Sequence, residues 1–516
     1  MSEADIISQQ AMDANWQPYL VKEPLAEHEV SQASLYVKMR DGIRIAVTYY
    51  LPKDMPEGQK IPTILRTTRY WRAIDGIPPG LPIRQYLANG YAWASVDARG
   101  TGASFGRWSG SWSPEEIKDY NEVVNWIIRQ PWSDGIVGTL GGSYEGTTAD
   151  MIVRNCNSAV KAAMPLFAPF DVTTDIAALG GILLDFFIEG WGKHVAALDR
   201  NEPRTIPLGK NKTLLAGVLP VDEDHDGSLL DEAVSEHIYN YDSYMDTLLL
   251  RFKDDFYETD PSRTSRDFNP YGYVDQLRRS QTPIYSYSGY GDGGDALGAI
   301  HRFRNIPNPG SKLVLGRWAH GSSFHISPYV QSNTTFNHLQ EQMRFFDQYL
   351  KGIDTGIKDE APVHYYTMVE EKWHSADTFP PPTTEVKLYF QADHGLDKHI
   401  PEDREAWDEY LVDYSTGTGE RSRWNTLRDG QFVTYPDRRE ADQKLLCYNS
   451  SPIHLPFRII ASNARMLRRL CQKKSLKSSS TCCQFPICLR KVTISVWRWQ
   501  AQTQATSRGA TCSRPW

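Results

Sequence analysis

The run Gly141-Gly142-Ser143-Tyr144-Glu145-Gly146 is where this chain could build a nucleophile. A short apolar stretch, residues 136–140, precedes it, and residues from about 144 to 155 suit a helix. A serine on a sharp strand-to-helix turn exposes its Oγ at the end of a sheet, and such a turn needs small neighbours. Gly141 and Gly142 are expected to supply that room. The residue two places after the serine is Glu145, so the pattern departs from G-x-S-x-G, with Gly146 one place later. The same turn aims the Tyr144 backbone N–H at the serine oxygen, which makes it a candidate oxyanion donor. The plain alternative is a glycine-rich loop with an incidental serine.

A serine hydroxyl attacks a carbonyl only when a base takes its proton. On a strand–turn–helix scaffold the partners follow in the order serine, acid, histidine. His320 is the expected base, because Gly316-Arg317-Trp318-Ala319-His320 follows an apolar stretch at 312–315; His301 and His325 are its rivals. The acid is expected in the loop after residues 283–288. Asp292 is the first choice and Asp295 the second. Its role is to hold the imidazole tautomer and stabilise the imidazolium. Asp-Gly pairs also serve ordinary turns. There is no HExxH, no paired CxxC and no GxxxxGK[ST], so no metal and no cofactor is expected.

These residues need a scaffold that brings distant segments to one edge. Residues 34–40 and 43–51 alternate around Asp41-Gly42, a hairpin pattern. Residues 62–66, 91–97 and 136–140 are short apolar runs of the kind found in buried parallel strands. Helices are expected at 81–89 and after Ser113-Pro114-Glu115-Glu116, where Ser113 caps, Pro114 opens the first turn and Glu116 completes a capping box. This rhythm predicts a parallel α/β sheet over 30–167, interrupted by a helical cap over 168–277 and resumed over 278–360. The texture then turns to β: residues 361–453 read as a partial β-sandwich, with Pro380-Pro381-Pro382 as a linker.

Composition narrows the function. Forty per cent of the 516 residues are hydrophobic, enough for a large core. The formal net charge of −7 is unevenly spread, with twelve Lys/Arg and no acid after Ile453. The preceding body is strongly acidic and would repel nucleic acid. Two of seven cysteines, Cys156 and Cys447, precede Ile453, so no disulfide framework is expected. No apolar run of membrane-spanning length and no leader pattern occurs, which predicts a cytoplasmic protein. Residues 454–516 read either as a basic disordered tail or as the product of a changed coding frame, the second being preferred because the β-region stops mid-course.

The motifs at 97–106, 131–146, 289–293 and 316–320, in that order, resemble the CocE/NonD family of cocaine-esterase-like and X-Pro dipeptidyl-peptidase-like serine hydrolases. The likeness covers roughly residues 34–450. It implies an α/β-hydrolase sheet with an inserted helical cap and a C-terminal jelly-roll-like β-domain, here incomplete. It implies Ser143, Asp292 and His320 as a triad. It also implies a tyrosine hydroxyl as second oxyanion donor, which in Arg66-Thr67-Thr68-Arg69-Tyr70 falls on Tyr70, with spacing one residue longer than the cocaine-esterase pattern. The expected reaction is hydrolysis of a small-molecule ester or amide through an acyl-Ser143 intermediate, without a cofactor. The alternatives are an X-Pro dipeptidyl-peptidase-type peptidase, an acyltransferase, or an inactive product of a damaged gene. A homodimer is compatible with this reading.

Overall fold

The computed structural model describes residues 19–450, apart from 203, 209–210, 258–259, 323–335, 369–370 and several stretches between 383 and 438, together with 458–460 and 484–488. Ten strands form one mixed sheet. In chain order they are β1 Val30–Lys38, β2 Arg44–Pro52, β3 Ile61–Thr68, β4 Ala92–Asp97, β5 Ser133–Gly142, β6 Val160–Leu166, β7 Tyr285–Gly289, β8 Lys312–Gly316, β9 Val363–Thr367 and β10 Lys372–Ala376. In space β4 lies between β2 and β3, and the other strands follow chain order. The β1–β2 hairpin is antiparallel and β2 runs antiparallel to β4. From β4 through β3, β5, β6, β7, β8 and β9 the pairing is parallel, and β10 closes the edge antiparallel.

The central strands are apolar on both faces because helices cover both. Leu65, Val137 and Ala163 face one layer with Val123 and Met151 of helices α2 (Pro114–Ile127) and α3 (Tyr144–Val153). Their neighbours Ile64, Ala162 and Met164 face the other layer. There they meet Tyr86 and Leu87 of α1 (Leu81–Ala88) and Phe346 and Leu350 of the long helix His338–Leu350. Two residues adjacent along a strand therefore serve two cores, as the pleat requires. The start of α2 differs in one detail from the expected capping box. Ser113 Oγ accepts from the Glu116 amide at 3.2 Å, but the Glu116 carboxylate turns to the Trp112 N–H at 3.1 Å, one residue earlier.

The segment between β6 and β7 is mixed rather than purely helical. It carries α4 (Asp185–Asp199), α5 (Ser228–Glu236), α6 (Ser243–Leu249) and α7 (Val274–Ser280), with short strand pairs such as Phe256–Tyr257 against Asp260–Thr264. After β7 comes α8 (Asp295–Asn305), and after β8 comes α9 (His338–Leu350). At the other boundary the sequence expectation needs correction. The sequence pattern assigns residues 361–376 to the β-domain, yet β9 and β10 extend the central sheet, Leu313 of β8 pairing with Val363. An all-β texture looks the same whether a strand joins a sandwich or the rim of an existing sheet. The separate β-region starts past Pro382, where Tyr389–Phe390, Gly395–Asp397, Cys447–Ser450 and Arg458–Ile460 form a four-stranded sheet. Trp407–Leu411 pairs with Gln484–Cys488. The remainder of 454–516 lies outside the described residues.

Candidate active site

Register sets the rim of the site. Gly142 at the end of β5 pairs with Leu166 of β6, Leu166 with Tyr287 of β7, and Gly289 with Gly316 of β8. The loops after β5, β7 and β8 therefore leave the same edge. Ser143 is the first residue past β5, with φ 60° and ψ −124°. A non-glycine residue takes such a φ only under constraint. Here the Ser143 N–H donates to the Leu166 carbonyl at 2.9 Å, while its own carbonyl accepts from Gly146 at 3.0 Å and Thr147 at 3.1 Å. The crowding falls on Gly141 and Gly146 rather than on Gly141 and Gly142. A Cβ at 141 would lie 2.5 Å from the Glu145 carbonyl carbon, and one at 146 would lie 2.8 Å from Ala168 Cβ, whereas at 142 the nearest atom is 3.9 Å away. That is why the glycine sits three places after the serine. Glu145 occupies the place of the usual glycine and pairs in two-pronged fashion with Arg66 at 2.5 and 2.9 Å.

Tyr70 lies in the loop after β3 and is fixed from both sides. The Arg69 guanidinium donates to Asp199 of α4 at 3.0 Å, and Arg72 donates to Asp97 of β4 at 3.0 Å, both pairs buried. The Tyr70 oxygen accepts from the Trp191 indole N–H at 2.9 Å. Burial pushes the Tyr70 phenol up to about 12, against the Trp191 and Ser143 hydrogen bonds that favour the phenolate, so it stays a proton donor at neutral pH. Tyr144 opens α3, where backbone N–H groups have no carbonyl within the helix and the helix dipole is positive. Its side chain points the other way: the phenol donates to Glu116 at 2.7 Å, and its ring stacks on Trp112 with centroids 5.0 Å apart. Glu116 is fully buried, and burial lifts its carboxyl to about 7 against hydrogen bonds from Tyr144 and Tyr120.

The third part of the site joins two loops. His320 Nδ1 and Asp292 Oδ1 are 2.8 Å apart, with Asp292 completely buried and the imidazole partly open. The Asp292 loop is pinned to the neighbouring strand end, since Tyr290 and Gly291 donate to the Gly316 and Trp318 carbonyls, each at 2.9 Å. Asp295 stands behind them, its Oδ2 3.3 Å from the same Nδ1. His320 bridges back toward Ser143 through Phe167, whose ring meets the imidazole edge-on at 6.2 Å and which follows the Leu166 that holds the serine amide. Ser143 and His320 make no direct hydrogen bond to each other; such contacts often tighten only when substrate is bound. His301, one rival, sits on α8 with Nδ1 3.7 Å from Asp175. His325 lies outside the described residues. Asp292, Asp295 and His320 also offer ligand-type atoms within 4.8 Å, but the ring nitrogen is already engaged in an acid–base hydrogen bond.

A cavity open on one side begins at Ser143 and Tyr70. Trp112 and Tyr144 line it from the sheet domain, and Ile188 and Trp191 from α4. Residues 41–322 match the model of the X-Pro dipeptidyl-peptidase (S15) family. The chain belongs to that family. A Mycobacterium bovis protein named as a serine esterase is 42% identical over 83% of this chain and 74% of its own length. The structure of a CocE/NonD family hydrolase from Staphylococcus aureus superposes with a TM-score of 0.53 at 22% identity, covering 75% of this chain and 62% of that one. An α-amino acid ester hydrolase structure gives a TM-score of 0.58 at 20% identity, covering 84% and 74% of the two chains. This S15-family member is therefore a serine hydrolase, and the likeness to those structures gives it the α/β-hydrolase sheet. Sequence reasoning missed Trp191 and the buried side of Glu116. Trp191 stands in an apolar helical pattern that says nothing of its partner, and Glu116 reads fully as a capping residue.

Proposed function

We propose that this S15-family enzyme hydrolyses a carboxylic ester, or an activated amide, through an acyl-Ser143 intermediate. The observation that carries the reading is the His320–Asp292 hydrogen bond on the rim that also carries the strained Ser143. In the first step His320 Nε2 takes the Ser143 proton as Oγ attacks the carbonyl carbon. Asp292 holds Nδ1–H and stabilises the imidazolium. The Tyr144 N–H and the Tyr70 O–H meet the oxyanion, both in a site walled by aromatic rings where such donors act strongly. His320 then returns the proton to the leaving oxygen or nitrogen, and water repeats the sequence to release the acid.

The described walls of the cavity are aromatic, aliphatic and hydroxyl-bearing, which suits an uncharged acyl group. Esters are favoured over peptides for that reason. Among the described residues no helix is long and apolar enough to cross a membrane. The free thiols Cys156 and Cys447 suit a reducing, cytoplasmic setting. The test is a panel of p-nitrophenyl esters, aryl amides and aminoacyl-proline anilides with the wild type and Ser143→Ala. The expected result is ester turnover and fluorophosphonate labelling by the wild type, with both lost in Ser143→Ala while the circular dichroism spectrum is unchanged. Turnover retained in Ser143→Ala would remove the mechanism.

A further inference from the structure

One imidazole in this site faces two buried carboxyl groups, and the mechanism above uses only one of them. We propose that Asp295 acts in the reaction as a positioning residue, a second carboxyl group that shares the His320 Nδ1–H with Asp292 and stays neutral while His320 works as a base. This rests on the acyl-Ser143 reading and extends it.

The geometry comes first. Asp292 Oδ1 and Asp295 Oδ2 lie 2.8 and 3.3 Å from the same ring nitrogen, and both carboxyl groups are fully buried. Beyond that 3.3 Å contact, neither Asp295 oxygen has a hydrogen-bond partner among the described residues, and Asp292 Oδ2 has none there either. Asp295 opens α8, so the helix end holds it in place. Asp175 of the turn Thr173–Ala177, itself beside His301, is a further charged group that faces Asp295, and Arg423 packs on the same loop, its carbonyl accepting from the Gly293 N–H at 3.2 Å. With His320 neutral, two ionised carboxylates here would be adjacent buried charges of one sign, which a protein avoids by keeping a proton on one of them. Asp295 is the more distant of the two from Nδ1, at 3.3 Å against 2.8 Å, and burial pushes its carboxyl up, so the proton is assigned to Asp295. The choice matters for chemistry. Two charged carboxylates would hold His320 as imidazolium, unable to accept from Ser143; one charged and one neutral group leave it free to cycle. The Asp295 proton stays in place throughout, and the only proton that moves passes from Ser143 to His320 to the leaving group.

The test compares Asp295→Asn, Asp295→Ala, Asp292→Asn and the Asp292→Asn/Asp295→Asn pair, using kcat and KM for p-nitrophenyl acetate across pH 5–10. The carboxamide keeps the shape, neutrality and acceptor oxygen of a protonated acid. Asp295→Ala is expected to lose about 100-fold in kcat at steady KM, and Asp295→Asn to recover roughly tenfold of that. The acid limb of kcat/KM should stay where it is in Asp295→Asn, and an inflection above neutral pH in the wild type should vanish. The double variant should fall below Asp292→Asn, whose residual rate depends on Asp295. An acid limb displaced downward by a unit or more in Asp295→Asn would mean that Asp295 is ionised, and would overturn the proposal. So would a double variant equal to Asp292→Asn, or equal losses in the Asn and Ala variants. Fluorophosphonate labelling of the wild type, absent in Ser143→Ala, separates this outcome from failure of the serine-hydrolase mechanism itself.

Discussion

In the proposed mechanism Tyr70 and Tyr144 divide one task between a side chain and a backbone. The Tyr70 phenol is held by Trp191 and by the two arginine pairs that flank it, and its raised proton affinity keeps it a donor. Replacing it by phenylalanine removes one oxyanion donor and leaves the cavity wall nearly intact. Tyr70→Phe is therefore expected to lower kcat by about 100-fold with little change in KM, measured with p-nitrophenyl acetate. Equal kcat in the two proteins would assign the oxyanion to other donors. Tyr144 should tolerate loss of its hydroxyl better, because its role runs through the amide. The strand-to-helix turn at Ser143 was legible at this scale, since glycines around a serine between an apolar run and a helical stretch mark such a turn. The partner of Tyr70 was not, because Trp191 is 121 residues away.

Two elements meet under Ser143, α2 and α3, and Glu116 is one of the contacts between them. Its carboxyl receives the phenols of Tyr144 and Tyr120 and the Trp112 amide. Because burial raises Glu116 to about 7, the folded chain binds a proton there that the unfolded chain, near 4.5, has already released. Stability from this group is present at low pH and declines as pH rises from about 4.5 to about 7. Glu116→Gln should flatten that decline, read from melting temperatures at pH 5, 6, 7 and 8; a slope identical to the wild type would show that the carboxyl ionises freely. Gly146 makes a sharper element-level test. Any Cβ there meets Ala168 and the Leu166 carbonyl at 2.8 Å, so Gly146→Val is expected to destabilise by about 2–3 kcal/mol in urea unfolding. The same change at the open Gly142 should cost less.

Across the whole molecule, the cap grips the sheet domain through the loop after β4. Asn240 donates to the Gly100 carbonyl at 2.8 Å and accepts from the Trp108 amide at 2.7 Å, while His237 contacts the Ser104 carbonyl at 2.8 Å. Arg69 and Asp199 form the buried ion pair of this junction, and Arg69 also lies over the Trp108 ring at 4.2 Å. Removing one partner strands a buried charge, so Arg69→Ala should cost about 3 kcal/mol and Arg69→Ala/Asp199→Ala less than that. Since α4 also carries Trp191 and Ile188 into the cavity, Arg69→Ala should raise KM for bulky esters. Unchanged stability together with unchanged KM would show that the cap is held elsewhere.

Read alone, the sequence was sufficient for the alternation of strands and helices, the strand-to-helix turn at Ser143, and the loops after strands that carry Asp292 and His320. Those are local properties: apolar periodicity, glycine at a crowded turn, and an Asp or His just past a strand. Tertiary structure alone decided that residues 363–376 finish the central sheet, because a strand's partner is set by packing and not by its own residues. It alone set the two acids at 2.8 and 3.3 Å from one imidazole nitrogen. Which carboxyl does what depends on burial and on distances between loops that are far apart in the chain, and neither quantity is written in the spacing of Asp292 and Asp295.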